Sequence, residues 1–198
     1  MENIAQLKSF NYKRDAKRIA QQNIYVAQGM DACQTPAYAV TPLLPYLTQF
    51  KTIWEPASGE GYLVKALQGC SHRFNVLESD ILSGKNFFNY QPETPWDCII
   101  TNPPFSVKFK WLERCYTLGK PFALIMPVET LGAKTAHKLF EQHGIQIILL
   151  NQRVNFKMPN KGWDSSAQFP TAWFTWRLGL PSQIVYGKLS KHAPLTQG

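Results

Sequence analysis

The sequence predicts an α/β fold: a mostly parallel twisted sheet with helices on both faces and an antiparallel last strand. Three observations predict it. From Thr52 onward, short apolar runs alternate with segments of helical spacing, and strands separated by helices imply a parallel sheet. A turn with two glycines follows the first run, and acids and prolines gather where later runs end. Ligands of such sheets sit outside the carboxyl ends of the strands, so these are the residues to watch. The length of 198 residues fits one domain.

In order along the chain, Ala16, Ile19, Ala20 and Ile24 share one helical face and Lys13, Arg14, Lys17 and Arg18 another. Residues 1–30 therefore read as a basic helical extension, and residues 31–198 as a single domain. Thr35-Pro36 opens a second helix, proline being tolerated in a first turn, while Pro42 and Pro45 complicate it and break it into short turns. A strand at 52–55 meets the glycine turn at 57–61, and a helix follows over about 62–68. Further strands are expected at 73–77, 97–101, 122–126, 145–150 and 172–177. Helices are expected around 107–118 and 134–143.

Composition narrows the class. Hydrophobic residues make up 44% and charged residues 17%, which is globular usage. No apolar run approaches the roughly 20 residues that span a bilayer, so no membrane partner is expected. The first 20 residues lack the apolar segment of a secretory signal, which implies a cytoplasmic location. Cys33, Cys70, Cys98 and Cys115 are scattered without CxxC spacing, so neither a metal nor a disulfide framework is expected. The net charge is +8. Residues 1–20 hold five Lys/Arg against two acids, and residues 151–198 hold six against Asp164 alone. Basic surface near both ends favours a polyanionic partner.

Three constellations carry chemistry. In Trp54-Glu55-Pro56-Ala57-Ser58-Gly59-Glu60-Gly61, two glycines let the backbone approach a ligand closely. The spacing is neither GxGxxG nor a phosphate loop, and an acid at the strand end attracts an ammonium group instead of a pyrophosphate. In Glu78-Ser79-Asp80 a carboxylate can accept both hydrogen bonds of a ribose diol; Asp80 is preferred, with Glu78 as the competing acid. Asn86 and Phe87 downstream offer an amide and an aromatic wall for a base. The third is Thr101-Asn102-Pro103-Pro104-Phe105. Two prolines fix the loop and Pro103 holds Asn102 extended. An amide oxygen and an exposed carbonyl suit a target amine whose lone pair attacks a methyl group, with Phe105 stacking on a planar substrate.

On these residues the chain resembles the class I S-adenosylmethionine-dependent methyltransferases, specifically the amino-methylating members with an Asn/Asp-Pro-Pro-aromatic motif. The resemblance runs from roughly residue 31 to 188. It implies a Rossmann-like methyltransferase fold with S-adenosyl-L-methionine as cofactor. It implies that Thr35-Pro36 helps hold the methionine carboxylate, and that Glu55, Pro56, Ala57, Gly59 and Gly61 contact the methionine moiety. Asp80 then takes the ribose. Asn86 and Phe87, in Gly84-Lys85-Asn86-Phe87, take the adenine, with Asn where the family has Asp. Asn102, Pro103, Pro104 and Phe105 form the catalytic loop, Asn102 also touching the cofactor. The ending resembles small phage-type adenine methyltransferases.

The implied reaction is methylation of the exocyclic amino group of adenine in nucleic acid, with DNA favoured. The target base would be flipped out or already single-stranded. The segment 153–170, rich in basic, polar and aromatic residues, reads as a substrate-facing loop with Lys157, Lys161 and Trp163 on nucleic acid. The absent recognition domain leaves low specificity, a recognition partner or homodimer, or an RNA substrate (adenine or guanine amino groups) as alternatives. The same loop also occurs in enzymes that methylate glutamine in release factors. A catalytically silent nucleic-acid-binding subunit with the same fold is the alternative of a different class; cofactor binding separates it from the enzyme.

Overall fold

The computed structural model describes residues 31–70, 74–159, 163 and 169–190. The expected helix around residues 16–24, and Lys161, lie outside the described residues. Seven strands form one sheet: β1 (Thr52–Glu55), β2 (Asn75–Glu78), β3 (Cys98–Thr101), β4 (Phe122–Pro127), β5 (Gln146–Leu150), β6 (Thr171–Trp176) and β7 (Ile184–Gly187). Their order across the sheet is β2-β1-β3-β4-β6-β5-β7. Strand β6 is antiparallel to both β4 and β5, with Phe122 opposite Trp176 and Ile147 opposite Phe174. The pairs β1–β2, β1–β3, β3–β4 and β5–β7 are parallel.

The reversed strand was expected to be the last; β7 follows it and corrects that expectation. β7 is an edge strand with Ile184 and Tyr186 exposed, so it lacks the buried apolar run that marks the central strands. Those are buried throughout in β3 and β4. Consecutive side chains leave a strand on opposite faces, and here both faces are covered. Ile53, Ile100, Ile125, Ile148 and Trp173 join one core cluster, whereas Trp54, Ile99, Leu124, Ile147 and Phe174 join the other. Burial on both faces is what makes the strands read as continuous apolar runs.

Among the described residues three α-helices connect strands: α1 (Tyr62–Gln68), α2 (Lys108–Leu118) and α3 (Lys134–His143). Helix α1 begins at Gly61, whose φ of 77° is left-handed, a conformation that favours glycine. The helix expected after Thr35-Pro36 is broken, as the prolines imply, into two 3-10 segments, Ala37–Ala39 and Thr41–Tyr46. Pro42 and Pro45 supply no N–H to an α-helical ladder, which accounts for the short turns.

Parallel pairing places the carboxyl ends of β1, β2 and β3 at one edge. Ser79 N donates to Glu55 O at 3.0 Å and Ser58 N to Ser79 O at 3.1 Å. The indole of Trp54 donates to the Ser79 hydroxyl at 2.9 Å. The strand ends are therefore tied together where ligands of such sheets bind.

Candidate functional site

A cleft opens at that edge, lined by Asp31–Gln34, Pro56, Ala57, Gly59, Asp80, Asn86, Phe87, Asn102, Pro104 and Trp111, among others. It brings the three constellations of the sequence together. Gly59, at φ 51°, forms its floor; a Cβ there would sit 2.6 Å from the Gln34 amide nitrogen. The Asp80 carboxylate accepts from Gly59 N at 2.9 Å and from Leu82 N at 2.8 Å. A carboxylate has about four acceptor sites, so two remain for a ligand. Glu78, the competing acid, is exposed and stands outside the cleft lining.

Asn86 and Phe87 form the far wall. The Asn86 side-chain oxygen accepts from Phe88 N at 3.0 Å, which fixes the turn and aims Phe87 inward. Phe87 stacks on Trp111 with centroids 4.1 Å apart and packs against Trp54 at 5.4 Å. Trp111 comes from α2, and helical spacing alone gave no sign that it would face a ligand.

Asn102 leaves β3 at the centre of the cleft. Its Nδ2 donates to the Cys33 carbonyl at 2.9 Å. Only the amide nitrogen can donate to a carbonyl, so this bond fixes the orientation of the group. Its Oδ1 is buried and has no hydrogen-bond partner among the described residues. Such an acceptor costs free energy unless something donates to it. Pro103 is buried behind it, and Pro104 lines the cleft.

Other expected residues stand elsewhere. Glu55 does not face the cleft as an ammonium partner would; it is fully buried beneath the turn. Its Oε1 accepts from Ala57 N at 2.8 Å and Thr101 Oγ1 at 2.6 Å, while Oε2 has no partner among the described residues. Burial pushes its carboxyl up to about 8, so it is mostly protonated at neutral pH. Thr35 is buried and Pro36 lines a neighbouring groove; neither lines the cleft, whose edge is formed by Gln34 instead. Gly61 caps α1 outside the lining. The Phe105 ring is held edge-on to Phe156 and Phe169, at 6.3 and 5.8 Å.

The segment 153–159 is more structural than its composition implied. Val154 and Phe156 are buried, and Lys157 exchanges backbone hydrogen bonds with Gln34 at 2.9 and 3.0 Å. The Lys157 ammonium, expected on nucleic acid, is paired with Glu60 and reaches the Tyr62 hydroxyl. This bridge, with a bond from the Ser106 hydroxyl to Asp31, lays residues 31–34 over the strand ends. Cys33 and Gln34 were missed in the sequence because pairing between residues 123 positions apart leaves no local pattern. Burial pushes the Cys33 thiol up to about 11, which makes it a poor nucleophile.

The Gln34 side chain crosses the glycine turn, accepting from Glu60 N at 3.1 Å. It narrows the cleft to about 70 Å³ of open space, below the roughly 300–1,000 Å³ of typical ligand sites. A larger groove of about 490 Å³ lies beside it, but the strand-end acids and Asn102 converge on the narrower one. Among the described residues no group of three or more His, Cys, Asp and Glu could hold a metal ion. No described helix is long and apolar enough to cross a membrane.

No family model matches the chain, and no curated protein matches its sequence. Among solved structures, a Listeria monocytogenes protein assigned as a class I S-adenosylmethionine-dependent methyltransferase superposes with a TM-score of 0.50 at 17% identity. The match covers 79% of this chain and 66% of that one, so this chain spans just under two thirds of the Listeria protein's length. An O-methyltransferase from Bacillus cereus, in complex with SAH, matches with a TM-score of 0.43 at 13% identity over 80% of this chain and 88% of that one. The likeness to the Listeria protein is one of fold: this protein has a Rossmann-like methyltransferase fold.

Proposed function

We propose that this protein is an S-adenosylmethionine-dependent methyltransferase acting on the exocyclic amino group of adenine in nucleic acid, DNA in preference to RNA. One observation carries the reading. The Asn102 amide is pinned by the Cys33 carbonyl so that its oxygen points away, buried and without a donor among the described residues. A primary amine attached to a planar ring supplies the donor that this oxygen lacks.

The cleft fits the cofactor by its donors and acceptors. Gly59 allows close approach, with its φ of 51° and no room for a Cβ. Asp80 keeps acceptor capacity for a diol, and Phe87, backed by Trp111, offers a flat wall for adenine. Bound there, the cofactor supplies an electrophilic methyl group on a sulfonium. Gln34, whose side chain crosses the turn, would have to move aside for the cofactor.

The chain's own residues then position the amine. Asn102 Oδ1 accepts one amino hydrogen and the Pro103 carbonyl the other, which turns the nitrogen lone pair toward the methyl group. Rigid prolines hold both acceptors in place, so little reorganisation is needed when charge develops on nitrogen. Phe105, braced by Phe156 and Phe169, offers its face to the base. Stacking of this kind contributes roughly 1–3 kcal/mol. The net charge of +8 supports a polyanionic substrate.

Calorimetric titration of the purified chain with S-adenosylmethionine tests the reading. Saturable one-to-one heat is expected; no binding would overturn the enzyme assignment and leave a silent subunit with the same fold.

A further inference from the structure

Residues 32–34 line the cleft, and two positions further on the chain enters the second groove. That groove is built from Pro36, Tyr38, Tyr62, Lys65, Asn155 and Trp163, with two alanines between them in the lining. Three aromatic rings line it, and each is fixed. The Tyr38 hydroxyl accepts from Asn155 N at 2.8 Å. Tyr62 stands edge-on to Trp163, with centroids 5.1 Å apart at 85°. Two ammonium groups flank Tyr62: Lys157 lies 4.9 Å and Lys65 5.7 Å from its ring centroid. Lys157 is neutralised by Glu60, whereas Lys65 is exposed at the rim.

Rings lining a concavity, with a cation at the edge, suit a planar group carried on an anionic backbone. A fatty chain would use the apolar wall but not the cation. A small anion would use the cation but not the rings. We infer that the groove binds a second base of the substrate strand, a neighbour of the one that is methylated, stacked on Tyr62 and Trp163 with its phosphate toward Lys65. This inference rests on the nucleic-acid reading above. It supplies a contact outside the target base, and that contact tolerates any base because every base has a π face.

The test uses the full chain saturated with S-adenosylhomocysteine and fluorescein-labelled single-stranded oligonucleotides containing one central adenine. Binding is followed by anisotropy, with intact flanking bases or with abasic flanks. For the wild type, abasic flanks are expected to weaken binding about five- to a hundredfold. Tyr62→Ala and Trp163→Ala are each expected to weaken binding of the intact strand within that range and to lose sensitivity to the flanks, while Tyr62→Phe restores both. Because Trp163 is 39% exposed, its replacement supplies a readout should Tyr62→Ala fold poorly. Equal binding by wild type and Trp163→Ala, or no effect of abasic flanks on the wild type, would overturn the groove assignment while leaving the methylation reading intact. No binding of any oligonucleotide by the wild type would overturn the nucleic-acid reading and the groove's occupant together.

Discussion

Replacing Glu55 with glutamine should flatten the dependence of stability on pH. The carboxyl is fully buried, and its pKa rises from 4.5 to about 8 in the folded chain, chiefly through loss of hydration. A raised pKa means that the folded state binds a proton which the unfolded state has already released. Its contribution is therefore fully present below about pH 4.5 and is lost as pH rises through about 8. At about 1.36 kcal/mol per pH unit, the whole interval corresponds to roughly 5 kcal/mol. Between pH 5.5 and 7.5 the unfolding free energy should fall more steeply in the wild type than in Glu55→Gln, by up to about 1 kcal/mol per unit. Glutamine keeps an acceptor for Ala57 N and Thr101 Oγ1, so the comparison isolates the titration. Urea unfolding of both proteins at pH 5.5, 6.5 and 7.5 measures it, and the difference between the two removes contributions common to both. Parallel slopes for the two proteins would refute the argument that Glu55 is held uncharged beneath the turn.

Other perturbations separate fold from site. Phe87→Ala, which removes a buried ring stacked on Trp111, should cost about 3–5 kcal/mol in urea unfolding and weaken cofactor binding as well. Gly59→Ala places a Cβ 2.6 Å from the Gln34 amide and strains a φ of 51°; it should lower stability by about 1–2 kcal/mol while weakening cofactor binding at least about tenfold. Asp97→Ala removes the acceptor for Lys51 N and Thr52 N, both at 2.8 Å, and should cost roughly 1–2 kcal/mol near pH 7. Those bonds hold the Asp97 carboxyl below its ordinary value of 3.8, so in acid unfolding the wild type should lose this advantage as pH falls through and below that range.

The parts of the fold visible in the sequence are those governed by burial over a few consecutive residues. β3 and β4 read as continuous apolar runs because both faces of the sheet are covered, and the start of α1 was marked by the glycine turn that ends at Gly61. β7 escaped because an edge strand with alternate residues exposed carries no such run. The site divides along the same line. Asn102, Gly59, Asp80 and Phe87 sit at strand ends or tight turns that local chemistry marks. Gln34 and Cys33 reach the cleft through the bridge to Lys157, a contact decided by tertiary packing. Glu55 was misplaced for a related reason. Its position at a strand end is right, but its side chain turns under the loop, toward Thr101, where a composition-based argument sees only a charge.

The most direct test of the central claim is transfer of a labelled methyl group from S-adenosylmethionine to DNA, RNA and protein offered side by side, by wild type and Asn102→Ala. The account predicts label in nucleic acid, recovered as N6-methyladenine on hydrolysis and greatest with single-stranded DNA. Asn102→Ala should lower the rate about a hundred- to a thousandfold, the usual effect of removing one preorganised transition-state contact, while still binding the cofactor. Label in protein alone, or an undiminished rate for Asn102→Ala, would contradict it.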